Sequence, residues 1–132
     1  MNCTDRHQAV IAVGSNIAPE RHVGAAREHV AGTFRLLAES RFVWTDPIGP
    51  PGQPPYLNGA WLIETDMDES ATRRRLRQIE AALGRVRTGD KYSPRPIDLD
   101  LVVWDGRIID RDVNRRPFLR DAVRQLLPEL DL

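Results

Sequence analysis

Between Pro94 and Trp104 the chain reads Pro-Arg-Pro-Ile-Asp-Leu-Asp-Leu-Val-Val-Trp. From Ile97 onward the alternation is that of a half-buried strand. Ile97, Leu99, Leu101 and Val103 are expected on one face, and Asp98, Asp100, Val102 and Trp104 on the other, because successive strand side chains point to opposite sides. Two carboxylates then stand side by side, roughly 6–7 Å apart at Cα from the strand rise per residue. Like charges this close repel unless a cation joins them. Paired carboxylates suit a hard, oxygen-seeking ion such as Mg²⁺, which binds through one or two carboxylates plus substrate phosphates. The plain alternative is a wet sheet face carrying two surface acids.

The segments around this strand predict the rest of the architecture. Ala9 to Val13 is a short continuous apolar run, as expected of a strand buried on both faces. Gly14-Ser15-Asn16 supplies turn chemistry after it. Pro19 and Glu20 suit the first turn of a helix whose apolar positions are Val23, Ala26 and Val30, with Gly32 as its stop. Phe34 to Thr45 reads as one long strand, rich in bulky and β-branched residues. The loop from Thr45 to Pro55 contains five prolines and two glycines, and its fixed φ angles make it stiff. Tyr56 to Thr65 is the next strand, with Tyr56, Asn58, Ala60 and Leu62 on one face. Asp66 to Ser70 opens a second helix with the stripe Thr72, Leu76, Ile79 and Leu83, and Gly84 ends it. Glu80 lies on the flank of that stripe and reads as a solvated helix residue. Asp105-Gly106 is a hairpin signal, returning through Arg107, Ile108 and Ile109. Pro117 opens a last helix, with Phe118, Ala122, Val123 and Leu126 for packing. The expected fold is α+β: a ferredoxin-like βαββαβ sandwich with an added hairpin and C-terminal helix, one domain over residues 1–132.

Charge narrows the function classes. Nineteen basic residues balance nineteen acidic ones, which argues against a bulk nucleic-acid or membrane binder. Cys3 is the single cysteine. An internal disulfide is therefore excluded, and a cytoplasmic protein is expected. No apolar run approaches a membrane span, and the polar N-terminal residues are not expected to form a signal peptide.

The charges are unevenly spread. Arg85, Arg87, Arg95 and Arg116 flank the acidic strand, with Lys91 nearby. Guanidinium groups bind phosphate oxygens in pairs, and carboxylate-bound Mg²⁺ neutralises a polyphosphate from the other side. Together these are the parts of a phosphoryl-transfer site. Arg73 to Arg77 are spread around a helix and read as a solvated basic surface. At the end of the stiff loop, Tyr56 and Asn58 present a flat ring beside a two-way hydrogen-bonding amide.

Four stretches in this order resemble one family. They are Ala12 to Asn16, Thr45 to Pro50 followed by Gln53 to Asn58, Gly84 to Arg87, and Pro94 to Asp100. The family is 6-hydroxymethyl-7,8-dihydropterin pyrophosphokinase, an enzyme of folate biosynthesis. The resemblance runs from Ala9 to about Leu130. It implies Mg²⁺-dependent transfer of pyrophosphate from ATP to the hydroxymethyl oxygen of the dihydropterin, leaving AMP. It further implies that Asp98 and Asp100 hold two Mg²⁺ ions and, with Arg85 and Arg95, carry the catalysis. Glu80, Arg85, Arg87, Tyr92, Arg95 and Arg116 would contact ATP. Thr45, Ile48, Tyr56, Asn58 and Phe118 would line the pterin site. The partners implied are these two small molecules, with no nucleic acid and no membrane, acting on a monomer.

The chain departs from the family pattern in several places. Tyr92-Ser93 stands where the family has Trp-Gly, and Asp46 where it has Pro. The link from Asp110 to Arg115 is shorter and lacks the family's Pro-His pair, and the family's extra C-terminal segment is missing from this sequence. These departures leave an alternative open: a paralogue that binds a pterin or nucleotide without transfer, or acts on an altered substrate. An RNA binder is disfavoured, because it would need exposed aromatic residues on the sheet and a basic balance.

Overall fold

A computed structural model describes residues 6–47, 49, 51–85 and 95–132. Its strands are β1 (His7–Ser15), β2 (Arg35–Glu39), β3 (Val43–Thr45), β4 (Tyr56–Thr65), β5 (Asp98–Trp104) and β6 (Arg107–Ile108). Its helices are α1 (Pro19–Thr33), α2 (Glu69–Ala82), α3 (Asp112–Arg115) and α4 (Pro117–Leu126). The strands form one open sheet in the order β2-β4-β1-β5-β6, with β3 also paired to β4. All the strand pairs are antiparallel.

Both faces of the sheet are covered. Ala9, Ile11, Val13, Trp61, Ile63, Leu99 and Leu101 point to one side, where they meet Ala26 and Val30 of α1 and Leu76 and Ile79 of α2. Val10, Ala60, Leu62, Val102 and Val103 point to the other side, where they meet Val113 of α3 and Leu119, Ala122, Val123 and Leu126 of α4. The strict period of two in β1 and β4 produces this division, since each strand feeds both cores alternately. No helix among the described residues is long and apolar enough to cross a membrane.

Local chemistry explains the element ends. The Asp68 carboxylate accepts a hydrogen bond from the Ala71 N–H at 2.8 Å and caps α2. Pro19 occupies the first turn of α1. Gly32 falls inside the last turn of that helix, which ends one residue later than expected. Asp105 and Gly106 both take positive φ, 48° and 79°, as the tight turn between β5 and β6 requires.

Two expectations about strands are corrected. First, the segment from Phe34 to Thr45 is not one strand. It breaks at Ser40 to Phe42 into β2 and β3, both paired to β4. Ser40 holds the bend: its N–H donates to Ala60 O at 2.9 Å, and its Oγ accepts from Ala60 N–H at 2.8 Å. The Phe42 ring lies over Gly59, where a β-carbon would come within 2.5 Å of it.

Second, the alternation in β5 does not run to its end. The register with β1 shifts between Val10↔Val103 and Ile11↔Leu101, which leaves Val102 as an extra residue. This is a β-bulge, and it flips the faces beyond it. Val102 and Val103 both enter the α3/α4 core, and Trp104 turns to the α1/α2 core beside His7, with ring centroids 4.9 Å apart. The bulge lies after Asp100, so the two aspartates keep the shared face expected for them.

Candidate active site

The site begins with strand register. Gly14 of β1 is opposite both Asn58 of β4 and Asp98 of β5, and Ala12 is opposite both Ala60 and Asp100. These residues form two rows across the sheet, on the face covered by α3 and α4. The middle positions are small, so the outer side chains border an open hollow. That hollow is a cavity of about 370 Å³ lined by Thr45, Tyr56, Asn58, Arg95, Asp98, Asp100, Arg116 and Phe118, among others.

Beneath one wall runs a network of ion pairs. Arg85 donates through Nη1 to Asp98 Oδ1 at 2.5 Å, to Glu80 Oε2 at 3.2 Å and to Ile97 O at 3.2 Å. Arg95 donates to the second oxygen of Asp98 at 3.0 Å. Arg77 bridges Glu80 Oε1 at 2.7 Å and Asp100 Oδ1 at 3.0 Å. Glu80 is 2 % exposed, and its Oε2 also accepts the Leu99 N–H at 2.7 Å. Three guanidinium groups therefore face three carboxylates.

This arrangement separates the two aspartates electrostatically. Burial pushes Asp98 up, but the charge and hydrogen bond of Arg85 and the charge of Arg95 outweigh it, so its carboxyl is held below the usual range. Asp100 is pushed up to about 6 by burial and by the charge of Asp98, against the opposing pull of Arg77. Burial also raises the Tyr56 phenol, which stays protonated.

The other half of the cavity is uncharged. The Asn58 amide donates to Thr45 Oγ1 at 2.6 Å. Tyr56 and Phe118 bring aromatic rings to the same cavity. Asn16 pins the start of the acidic strand: its Oδ1 accepts the Arg95 N–H at 2.7 Å, and its own N–H donates to Arg95 O at 3.1 Å.

The match to a family model extends over residues 10–128 and is to 7,8-dihydro-6-hydroxymethylpterin-pyrophosphokinase. The chain belongs to this family. A 2-amino-4-hydroxy-6-hydroxymethyldihydropteridine pyrophosphokinase of Methylorubrum extorquens is 33% identical, over 93% of this chain and 84% of that one. A pyrophosphokinase of the same name from Pseudomonas aeruginosa is 31% identical, over 92% of this chain and 82% of its own length. In Schizosaccharomyces pombe, a folic acid synthesis protein is 32% identical over 84% of this chain, and the similarity takes up 15% of that much longer polypeptide.

For a pyrophosphokinase of this family, the structure gathers most of the residues expected from the sequence. Thr45, Tyr56, Asn58, Arg95, Asp98, Asp100, Arg116 and Phe118 line one cavity. Arg85 and Glu80 lie directly behind it. Ile48, Arg87 and Tyr92 lie outside the described residues. Two expectations are corrected: Glu80 is a buried anchor rather than a solvated helix residue, and Arg77 is not part of a solvated basic surface. The one sequence signal for this pair was Arg77 and Glu80 one helical turn apart. The short link contains α3. Val113 is buried in the α4 core, and Asp110, Asp112 and Arg116 reach the cavity. Asp46 is there too.

Proposed function

We propose that this cavity performs the family reaction: transfer of pyrophosphate from ATP to the hydroxymethyl group of 6-hydroxymethyl-7,8-dihydropterin, with release of AMP, in folate biosynthesis. The observation that carries the reading is the meeting of Asp98, Asp100 and Arg95 with Tyr56 and Asn58 in one cavity. A polyphosphate needs the first group, and a flat heterocycle with alternating donors and acceptors needs the second.

The donor set suits Mg²⁺: two carboxylates on one strand face, open to a cavity that can admit phosphate oxygens and water. Among the described residues there is no group of three or more His, Cys, Asp and Glu placed to hold a metal ion, so substrate phosphate and water would complete the coordination of two ions at Asp98 and Asp100. When bound, the ions would neutralise the phosphate charge and polarise the β-phosphorus.

The chain's own residues do the rest. Thr45, Ile48, Tyr56, Asn58 and Phe118 hold the pterin, with Asn58 fixed by its bond to Thr45 so that its amide is presented to the ring. Arg95 and Arg116 lie at the cavity and contact the nucleotide phosphates; the family resemblance assigns Arg87 and Tyr92 to ATP as well. Arg85 and Glu80 orient Asp98 from behind. The hydroxymethyl oxygen forms a bond to the β-phosphorus, the bond from that phosphorus to the α-phosphate oxygen breaks, and the hydroxyl proton leaves to solvent.

The strand order, with two helices crossing on one face, supports a ferredoxin-like core extended by the β5–β6 hairpin and by α3 and α4 on the other face. We read the chain as a single domain, monomeric and cytoplasmic. The test of function is direct: protein, ATP, Mg²⁺ and the dihydropterin should yield AMP and the pterin pyrophosphate in equal amounts. No AMP at high protein concentration would overturn the reading.

A further inference from the structure

Arg77 lies on α2, outside every stretch that carried the family resemblance, yet its guanidinium joins two carboxylates of the site. One end is tethered to Glu80, which is buried and secured by Arg85 and the Leu99 N–H. The other end holds Asp100. Among the three arginines of the network, the side chain of Arg85 is 8% exposed and that of Arg95 26%, against 36% for Arg77. Arg85 is locked between Glu80, Ile97 O and Asp98. Arg77 is therefore the cation with room to leave its carboxylate, and it can do so without losing its anchor.

We propose that Arg77 is the resident counterion of Asp100. It neutralises the carboxylate in the ligand-free protein and yields it when a divalent cation arrives with a nucleoside triphosphate. Its freed N–H groups then take a phosphate oxygen. A guanidinium 3.0 Å from the carboxylate opposes the approach of a second positive charge to it, so cation and arginine compete for Asp100. A fork pinned at one end by Glu80 keeps the released end close to the polyphosphate. This inference rests on the function proposed above.

The experiment is calorimetric titration of the whole protein with MgCl₂ alone, and then with ATP at saturating Mg²⁺. Arg77→Gln should bind Mg²⁺ alone about fivefold more tightly and Mg-ATP about tenfold more weakly, the loss of one charge-assisted phosphate contact. Arg77→Lys keeps the charge but not the fork. Its Mg²⁺ affinity should stay within about twofold of the parent, while its Mg-ATP affinity falls as in the glutamine variant. Glu80 keeps Arg85 and the Leu99 N–H in both variants, and their thermal unfolding will report whether the fold survives. Arg77→Gln that changes neither affinity, or weakens both, would overturn the proposal. A parent protein that binds no Mg-ATP at all would instead sink the function on which it rests.

Discussion

Gly14 and Asn58 face each other across the β1–β4 pair, and a β-carbon at Gly14 would lie 2.6 Å from Asn58 Oδ1. The missing side chain is what allows the Asn58 amide to lie over β1 while it donates to Thr45. Gly14→Ala should therefore push Asn58 off its rotamer. Overpacking of this kind costs about 1–3 kcal/mol of stability. The larger effect should be on ligand binding: pterin affinity should fall while Mg-ATP affinity holds. Titrating the variant with each ligand separately checks this, and an equal loss for both would show that Gly14 matters only to the fold.

Glu80 is the buried keystone of the charged wall. Glu80→Ala removes one partner of Arg77, one partner of Arg85 and the acceptor for the Leu99 N–H. Breaking a buried pair from one side costs about 3–5 kcal/mol. Glu80→Gln retains an acceptor and should lose less. Urea unfolding of the two variants beside the parent measures both values.

Asp98 and Asp100 should be separable from the fold. Asp98→Asn and Asp100→Asn should each lower the rate of AMP release by about a hundredfold or more, the scale of losing a key electrostatic group. Arg85 keeps Glu80 and Ile97 O when Asp98 changes, so the circular dichroism spectrum should remain that of the parent. Lost activity with an unfolded spectrum would assign the aspartates a structural role instead.

The opposed shifts of the two aspartates predict a pH signature. Asp98, held low, contributes stability that is present above the ordinary carboxylate range and lost only as the pH falls through its lowered value. Asp100 has the opposite sign. It is raised from 3.8 to about 6, so its contribution is present below the ordinary value and lost as the pH rises through about 6. In the metal-free protein, acidifying from about pH 7.5 to about pH 5.5 should raise the stability of the parent relative to Asp100→Asn, because only Asp100 of this pair titrates in that window. Mg²⁺ should have the reverse effect and raise the parent's Tm more at the higher pH, where no proton competes for Asp100. Thermal melts of both proteins at the two pH values, with and without Mg²⁺, decide the matter. A Mg²⁺ effect equal at both pH values would count against Asp100 as a ligand.

Most of the element pattern was legible because it is local. The period of two in Tyr56 to Thr65 needs only neighbouring residues, and so do the helix opened by Pro19 and the Asp105-Gly106 turn. The shared face of Asp98 and Asp100 followed from the same rule. The break at Ser40 and the bulge at Val102 were not legible. Each is set by pairing with a distant strand: Ser40 bends where it can bond Ala60, and Val102 is extruded where β1 and β5 fall out of step.

The same division runs through the site. The sequence by itself determined the paired carboxylates, the flanking arginines, the stiff loop ending in Tyr56 and Asn58, and the order of motifs that pointed to a pterin pyrophosphokinase. Only the tertiary structure decided that Arg77 and Glu80 belong to the charged wall and that Gly14 clears space for Asn58. It also decided that Asp110, Asp112 and Asp46 border the cavity. The reason is physical. Periodicity tells which way a side chain leaves its own strand or helix, but a salt bridge spanning residues 77 and 100 forms only when two elements pack, and packing is settled by the whole core at once.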